Sequence, residues 1–306
     1  AQLAGADYLR AWSGEVSVLG SVGPVSGAAT GGFTLEGGTL TRLGALGGST
    51  FGRLSADHGI LAAGTIDGAS LRYTGTVSKS AGTTLTIPSG SLTSEGTMDQ
   101  NGGFIDVDPA GSVSFGTISN KGTWNLANLS VVKSTDGDGA FTNSGLLALS
   151  SGVSIFTAKT DNVSGGEIRT AVGTTLALSG GGSFTSGSTL NADGAIALEI
   201  GAFLLSQTQI VGSGGLQIGS LLGSAATLSV LGPSGPETGP ATGGLSLFNG
   251  SITGLGGIGG AGSQSVISVD HGSLVSGIIR SVLLRYTGAA TISANSLISL
   301  DNASIT

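Results

Sequence analysis

The sequence predicts an all-β chain, a parallel β-solenoid whose stacked coils are about 21–26 residues long. Three observations predict it. Two stretches about 212 residues apart are nearly the same, a shorter apolar period runs inside that repeat, and 58 glycines interrupt the chain throughout.

The long repeat comes first. Residues 17–32 read SVLGSVGPVSGAATGG and residues 229–244 read SVLGPSGPETGPATGG, identical at eleven of sixteen positions. After a one-residue insertion the match resumes at an offset of 213. Asp57-His58-Gly59 returns as Asp270-His271-Gly272, and Leu71-Arg72-Tyr73-Thr74-Gly75 as Leu284-Arg285-Tyr286-Thr287-Gly288. The match continues to Ser304-Ile305-Thr306, which answers Ser91-Leu92-Thr93. Residues 1–212 thus read as a first long repeat and 213–306 as a partial second copy continuous with it, a window on a longer chain. Tandem repetition on this scale builds fibres and surface arrays.

The short period follows. Leu71 to Val77 runs apolar residue, three variable ones, Gly, small residue, apolar residue, and Leu92 to Met98 and Ile118 to Trp124 repeat it. Looser versions start at Phe141, Val163, Phe184 and Leu205, giving steps of 21, 26, 23, 22, 21 and 21 residues. One such coil cannot bury its apolar face alone, whereas stacked coils share a core and pair their backbones along the axis. At about 22 residues per coil, the chain makes about fourteen coils.

The elements read as short strands. Thr84 to Ile87, Phe104 to Asp108 and Ser112 to Phe115 alternate apolar with polar, so each points one side chain in and the next out. Glycines serve the corners, where φ is often positive. Asn120 and Asn143 share a coil position and either stack as an amide ladder or serve ordinary turn chemistry. Ile196 to Ile210 is the most apolar stretch, and its β-branched residues and Gly201 suit buried strands. Helices are disfavoured, since each interior glycine costs about 1 kcal/mol. The rival architecture is a pair of β-sandwiches per long repeat, which would carry a buried aromatic anchor. Trp12 and Trp124 are the only tryptophans.

Composition narrows the function. A 39% apolar fraction with 9% charged residues suits a continuous core and opposes disorder. The net charge of −7 leaves no basic stripe, so nucleic acid is not an expected partner. No run of eighteen apolar residues is present to insert in a membrane as a helix. With no cysteine there is no disulfide framework and no thiolate metal site.

The patterns GTISNKGTWN (116–125), FTNSGLLAL (141–149) and both LRYTG segments resemble the β-strand repeats of large bacterial surface proteins. Autotransporter passengers and filamentous-haemagglutinin-like exoproteins belong to that group. The resemblance implies an exported right-handed parallel β-helix at the bacterial cell surface, used as a stalk, adhesin or filament.

Candidate chemistry is sparse. Asp57-His58 and Asp270-His271 contain the only histidines, and an Asp–His pair can do acid–base work or bind metal. A triad further needs a nucleophile within reach, so a polar turn or a contact between repeats is expected instead. Arg72, Tyr73, Arg285 and Tyr286 join them as exposed-looking contact residues between repeats. Asp136 and Asp138 are a meagre calcium site, with two carboxylates where calcium takes six to eight oxygens. The run Gly254 to Gly262 lacks the Lys-Ser/Thr of a phosphate loop and reads as a tight corner. Pectate-lyase-like and glycosidase β-helices would need clustered carboxylates, and the eighteen acids are spread thinly. The expectation is a non-enzymatic, extracellular structural module without cofactor, one that self-associates as a fibre or sheath. An adhesin stalk that meets surface polysaccharide is the alternative, and a carbohydrate-active enzyme the second.

Overall fold

The computed structural model describes residues 4–43, 52–109, 116–220, 224–236, 238–256 and 264–306. It is all-β and 68% strand, with parallel strands stacked into a β-solenoid of about 12 turns. No helix among the described residues is long and apolar enough to cross a membrane. Two compact units divide the chain: Ala1–Ala148 with Thr157–Lys159, and Leu149–Phe156 with Thr160–Thr306.

In the first unit, strands Gly52–Ala56, Gly59–Tyr73, Thr84–Ser94, Gly116–Asn120 and Ala140–Asn143 stack in parallel. Their register places Leu54, Leu71, Leu92, Ile118 and Phe141 in one inward column, each at most 1% exposed. The apolar steps read from residues 71 to 141 are therefore true coil steps. Each buried Leu or Phe in such a column contributes about 1.5–3 kcal/mol of transfer free energy. Trp124 closes the core edge-on against Phe141, with ring centroids 5.4 Å apart at 71°. It fills a coil of a parallel stack, which an antiparallel sandwich cannot supply.

The alternation holds at Thr84–Ile87, where Leu85 and Ile87 are buried. Ile105 and Val107 are likewise buried, but Asp108 is buried with them. Its Oδ2 accepts from Ser134 Oγ (3.1 Å) and from the backbone N–H of Asp136 (2.8 Å), which holds the following turn. Ser112 to Phe115 lies outside the described residues. Asn120 and Asn143 form the amide ladder: Asn120 Nδ2 donates to Asn143 Oδ1 at 2.7 Å. Turn chemistry is superposed on it, since Asn143 Nδ2 also donates to Gly145 O (3.1 Å).

Positive φ is frequent as expected, at twenty-five of the described glycines, but three glycines of the repeated pattern differ. Gly96, Gly122 and Gly145 do not have positive φ. A Cβ there would sit 2.1, 2.0 and 2.1 Å from the carbonyl oxygens of Gly75, Gly96 and Gly122 respectively. At these three corners, crowding by the coil beneath, and not a left-handed backbone, selects glycine.

In the second unit, Thr175–Leu178, Ala195–Leu198, Gly215–Ile218 and Gly244–Leu247 stack in parallel. Leu176, Ile196, Leu216 and Leu245 make one inward column, and Leu178, Leu198, Ile218 and Leu247 a second, all fully buried. Phe184 and Phe203 stack nearly flat, 6.1 Å apart. Asn162, not Val163, is the register partner of Phe184. A period read on apolar residues misses a buried asparagine whose Nδ2 is satisfied by Gly166 O and Thr189 O. Ile196 and Ile210 are buried as expected, while Ile200 is exposed between strands Ala195–Leu198 and Gly201–Ser206. The turns number about 12 rather than about fourteen because some coils carry extra chain. Gly215 pairs with Gly244, a step of 29 residues that takes in the Pro- and Gly-rich segment 232–243. Of the Gly254 to Gly262 run, residues 257–262 lie outside the described residues.

Candidate functional site

The duplicated motifs converge, in each unit separately, on one corner. In the first unit, Tyr73 ends strand Gly59–Tyr73 and is fully buried. Its hydroxyl donates to Phe33 O at 2.7 Å. The ring passes Gly59 so closely that a Cβ there would lie 3.1 Å from Tyr73 Cε1 and 1.8 Å from Phe33 O. Burial pushes the phenol well above its usual range. Arg72, 6% exposed, points to the loop from the most repeated stretch of sequence. Its Nη1 donates to Pro24 O (3.3 Å) and its Nη2 to Gly27 O (2.7 Å) and Glu95 Oε2 (2.5 Å). The hydrogen bond from Arg72 is the main reason Glu95 is held below the usual carboxylate range. Thr74 Oγ1 accepts from the Ala29 N–H (2.9 Å) and sits 3.4 Å from Asp57 Oδ1. Gly75 N–H donates to Asp57 O at 2.8 Å.

The second unit repeats the loop and corner bonds, without a counterpart of the Arg72–Glu95 contact among the described residues. Tyr286 Oη donates to Leu245 O (2.9 Å), and Gly272 stands where Gly59 does. Arg285 Nη1 and Nη2 reach Pro236 O (3.3 Å) and Gly239 O (2.8 Å). Thr287 Oγ1 accepts from Ala241 N–H (2.9 Å) and meets Asp270 Oδ1 at 3.4 Å. Isolated parallel bridges join Gly32 to His58 and Gly244 to His271. The GPxxG loop, DHG and LRYTG are therefore three pieces of one clamp that pins a loop to a coil corner. Arg72 and Tyr73, expected on the surface, are buried inside their own copy, because main-chain carbonyls take their polar groups.

The histidines belong to the same corner. His58 Nδ1 lies 3.5 Å from Asp57 Oδ2, and His271 Nδ1 lies 3.4 Å from Asp270 Oδ2. His271 Nε2 sits 2.7 Å from Gly214 O, and since a carbonyl only accepts, that nitrogen carries the proton. Among the described residues, the hydroxyl bonded to this Asp, Thr287 Oγ1, meets the carboxylate and not the imidazole. A base that must activate a nucleophile needs the opposite arrangement. His271 also closes an open groove of about 430 Å³ over Gly194, Gly214, Gly215 and Gly244, flanked by Asp193, Gln217 and Ser246. Its Asp193 Oδ1 already accepts from the Ser213 N–H (3.0 Å) and hydroxyl (3.1 Å).

Asp136 and Asp138 are exposed on the turn that Asp108 and Ser134 close. No group of three or more His, Asp or Glu side chains able to hold a metal occurs among the described residues. The chain was compared with family models, with curated proteins and with solved structures, and nothing matches.

The sequence signal did not reveal Glu95, Phe33 or the loop carbonyls as partners of Arg72 and Tyr73. The doubling of GPxxG could have, because Pro24, Gly27, Pro236 and Gly239 recur in step with the arginines.

Proposed function

We propose that this chain is a non-enzymatic structural protein of the bacterial cell surface. It is a β-solenoid module of a long repetitive chain in the style of autotransporter passengers and filamentous-haemagglutinin-like exoproteins. One observation carries this reading. The motifs that the two copies share are spent within each copy on holding a coil corner, so what recurs is construction, not a reaction centre.

The same observation bears on the kind of structure. A self-assembling fibre would share outward residues that touch the next unit, whereas a stalk would share only turns and core. Arg72 and Tyr73 belong to turn and core, which favours a stalk that presents a binding face over a sheath built by lateral contact. Surface labelling tests the setting: protease applied to intact source cells should remove the segment, and full protection would overturn the assignment. Incubation with plant and bacterial polysaccharides should release no new reducing ends, and their release would overturn the non-enzymatic reading.

A further inference from the structure

The first unit has a groove of about 480 Å³ lined by Arg42, Arg53, Ser70, Ser89, Ser91 and Thr117 over a floor of Gly68, Ala69 and Gly90. The geometry points to an anion-binding groove for the carboxylates of an acidic polysaccharide. This deepens the stalk reading and rests on it for its biological setting.

Register makes the groove a repeating surface. Arg53, Ser70, Ser91 and Thr117 follow one another coil by coil on the outward side. They stand about 4.8 Å apart, comparable with the length of one pyranose unit in an extended glycan. Ser70 and Ser91 are hydrogen-bonded to each other at 2.5 Å, a hydroxyl ladder that can both donate and accept. Arg42 and Arg53 both stand on the coil before this ladder. The Arg42 stem lies over Gly52, whose missing Cβ would meet Arg42 Cγ at 3.2 Å. Arg53 gives Nη1 to Val25 O at 3.3 Å, one of the five N–H donors a guanidinium carries. Planar donor forks of this kind suit carboxylates. No acid is among the described lining residues, and the nearby Asp67 accepts from Ser89 Oγ at 2.5 Å.

The second copy builds the same coils with other residues at these positions. Paired strands place Gly254 where Arg42 stands, Val266 at Arg53 and Leu283 at Ser70, and the offset of 213 puts Asn302 at Ser89. The equivalent groove there, one coil shorter, is about 100 Å³ and has no arginine among its described lining residues. The same corner thus forms without a guanidinium among its described lining residues.

Titration of the full chain with polygalacturonate, neutral dextran and poly-aspartate tests this. Polygalacturonate should bind, weaken as salt rises, and outcompete poly-aspartate, while dextran should not bind. The double variant Arg53→Val with Ser70→Leu uses residues the other copy carries, and should lose at least tenfold in affinity at unchanged Tm. If that variant unfolds, Arg42→Gln with Arg53→Gln must show the same loss. No binding of polygalacturonate, equal binding of poly-aspartate, or undiminished binding by the folded variant would each overturn the groove. Since the titration uses purified chain, its failure is distinct from a failure of surface labelling.

Discussion

Gly122 shows how little of a residue's purpose its type discloses. Its Cβ would collide with Gly96 O at 2.0 Å, and the coil beneath cannot move without breaking its own ladder. Gly173 is the contrast, with φ +76° and nothing within 4 Å of a Cβ. Alanine at Gly173 meets only the left-handed penalty, about 1–2 kcal/mol. Alanine at Gly122 must push neighbouring coils apart, so Gly122→Ala should cost about 3 kcal/mol or more. Thermal unfolding of the two variants should give the clearly lower Tm to Gly122→Ala; equal losses would remove crowding as the cause. The pattern of three variable residues, Gly and a small residue was legible as a corner. Why it needs glycine was not, because composition cannot separate an unusual φ from a neighbouring carbonyl.

Between neighbouring strands, the inward column of Tyr73, Ser94, Asn120 and Asn143 changes chemistry from coil to coil before it settles on asparagine. Asn120 gives its amide N–H groups to Asn143 Oδ1 and Leu146 O, while its Oδ1 and the facing Ser94 Oγ are buried without a hydrogen-bond partner. Ser94→Asn would bring an amide N–H toward Asn120 Oδ1 and extend the ladder by one coil. A buried hydrogen bond contributes about 1 kcal/mol net, so the variant should unfold at a higher Tm, and a lower one would refute the fit. The clamp yields a second expectation. Arg72→Ala removes both bonds to Pro24 O and Gly27 O, and leaves Pro24 O with Ser55 Oγ and Glu95 with Lys121. Limited proteolysis should then cut within residues 23–28, where the parent chain resists; equal resistance would show that the loop holds itself. DHG, LRYTG and GPxxG were each visible as repeats. Their meeting was not, because Arg72 and its loop partners are 45–48 positions apart and are joined only by coil stacking.

Across the molecule, the apolar columns followed directly from the period, and stretches of extra chain lowered the number of turns. What the period could not show is how a charge enters the core. Lys79, at the end of strand Thr76–Lys79, is 2% exposed, with Nζ 2.9–3.0 Å from Ala62 O, Ser80 O and Thr83 O, and 2.5 Å from Thr83 Oγ1. These oxygens hold the ammonium, but burial still brings it down to about 8. In the unfolded chain it titrates near the usual lysine value, about 10.4. Between pH 8 and 10 the unfolded chain therefore binds a proton that the native chain has released, and stability rises by about 1.4 kcal/mol per pH unit. The tyrosines act in the opposite sense. Burial raises both Tyr73 and Tyr286, so above pH 10 the native chain keeps protons that the unfolded chain has lost. Two tyrosines outweigh one lysine, and stability should peak near pH 10 and then fall. Denaturant midpoints from pH 7 to 11 should trace that peak. Lys79→Met should abolish the rise from pH 8 to 10 while keeping the fall above it, and a rise that survived the substitution would assign the titration to another group.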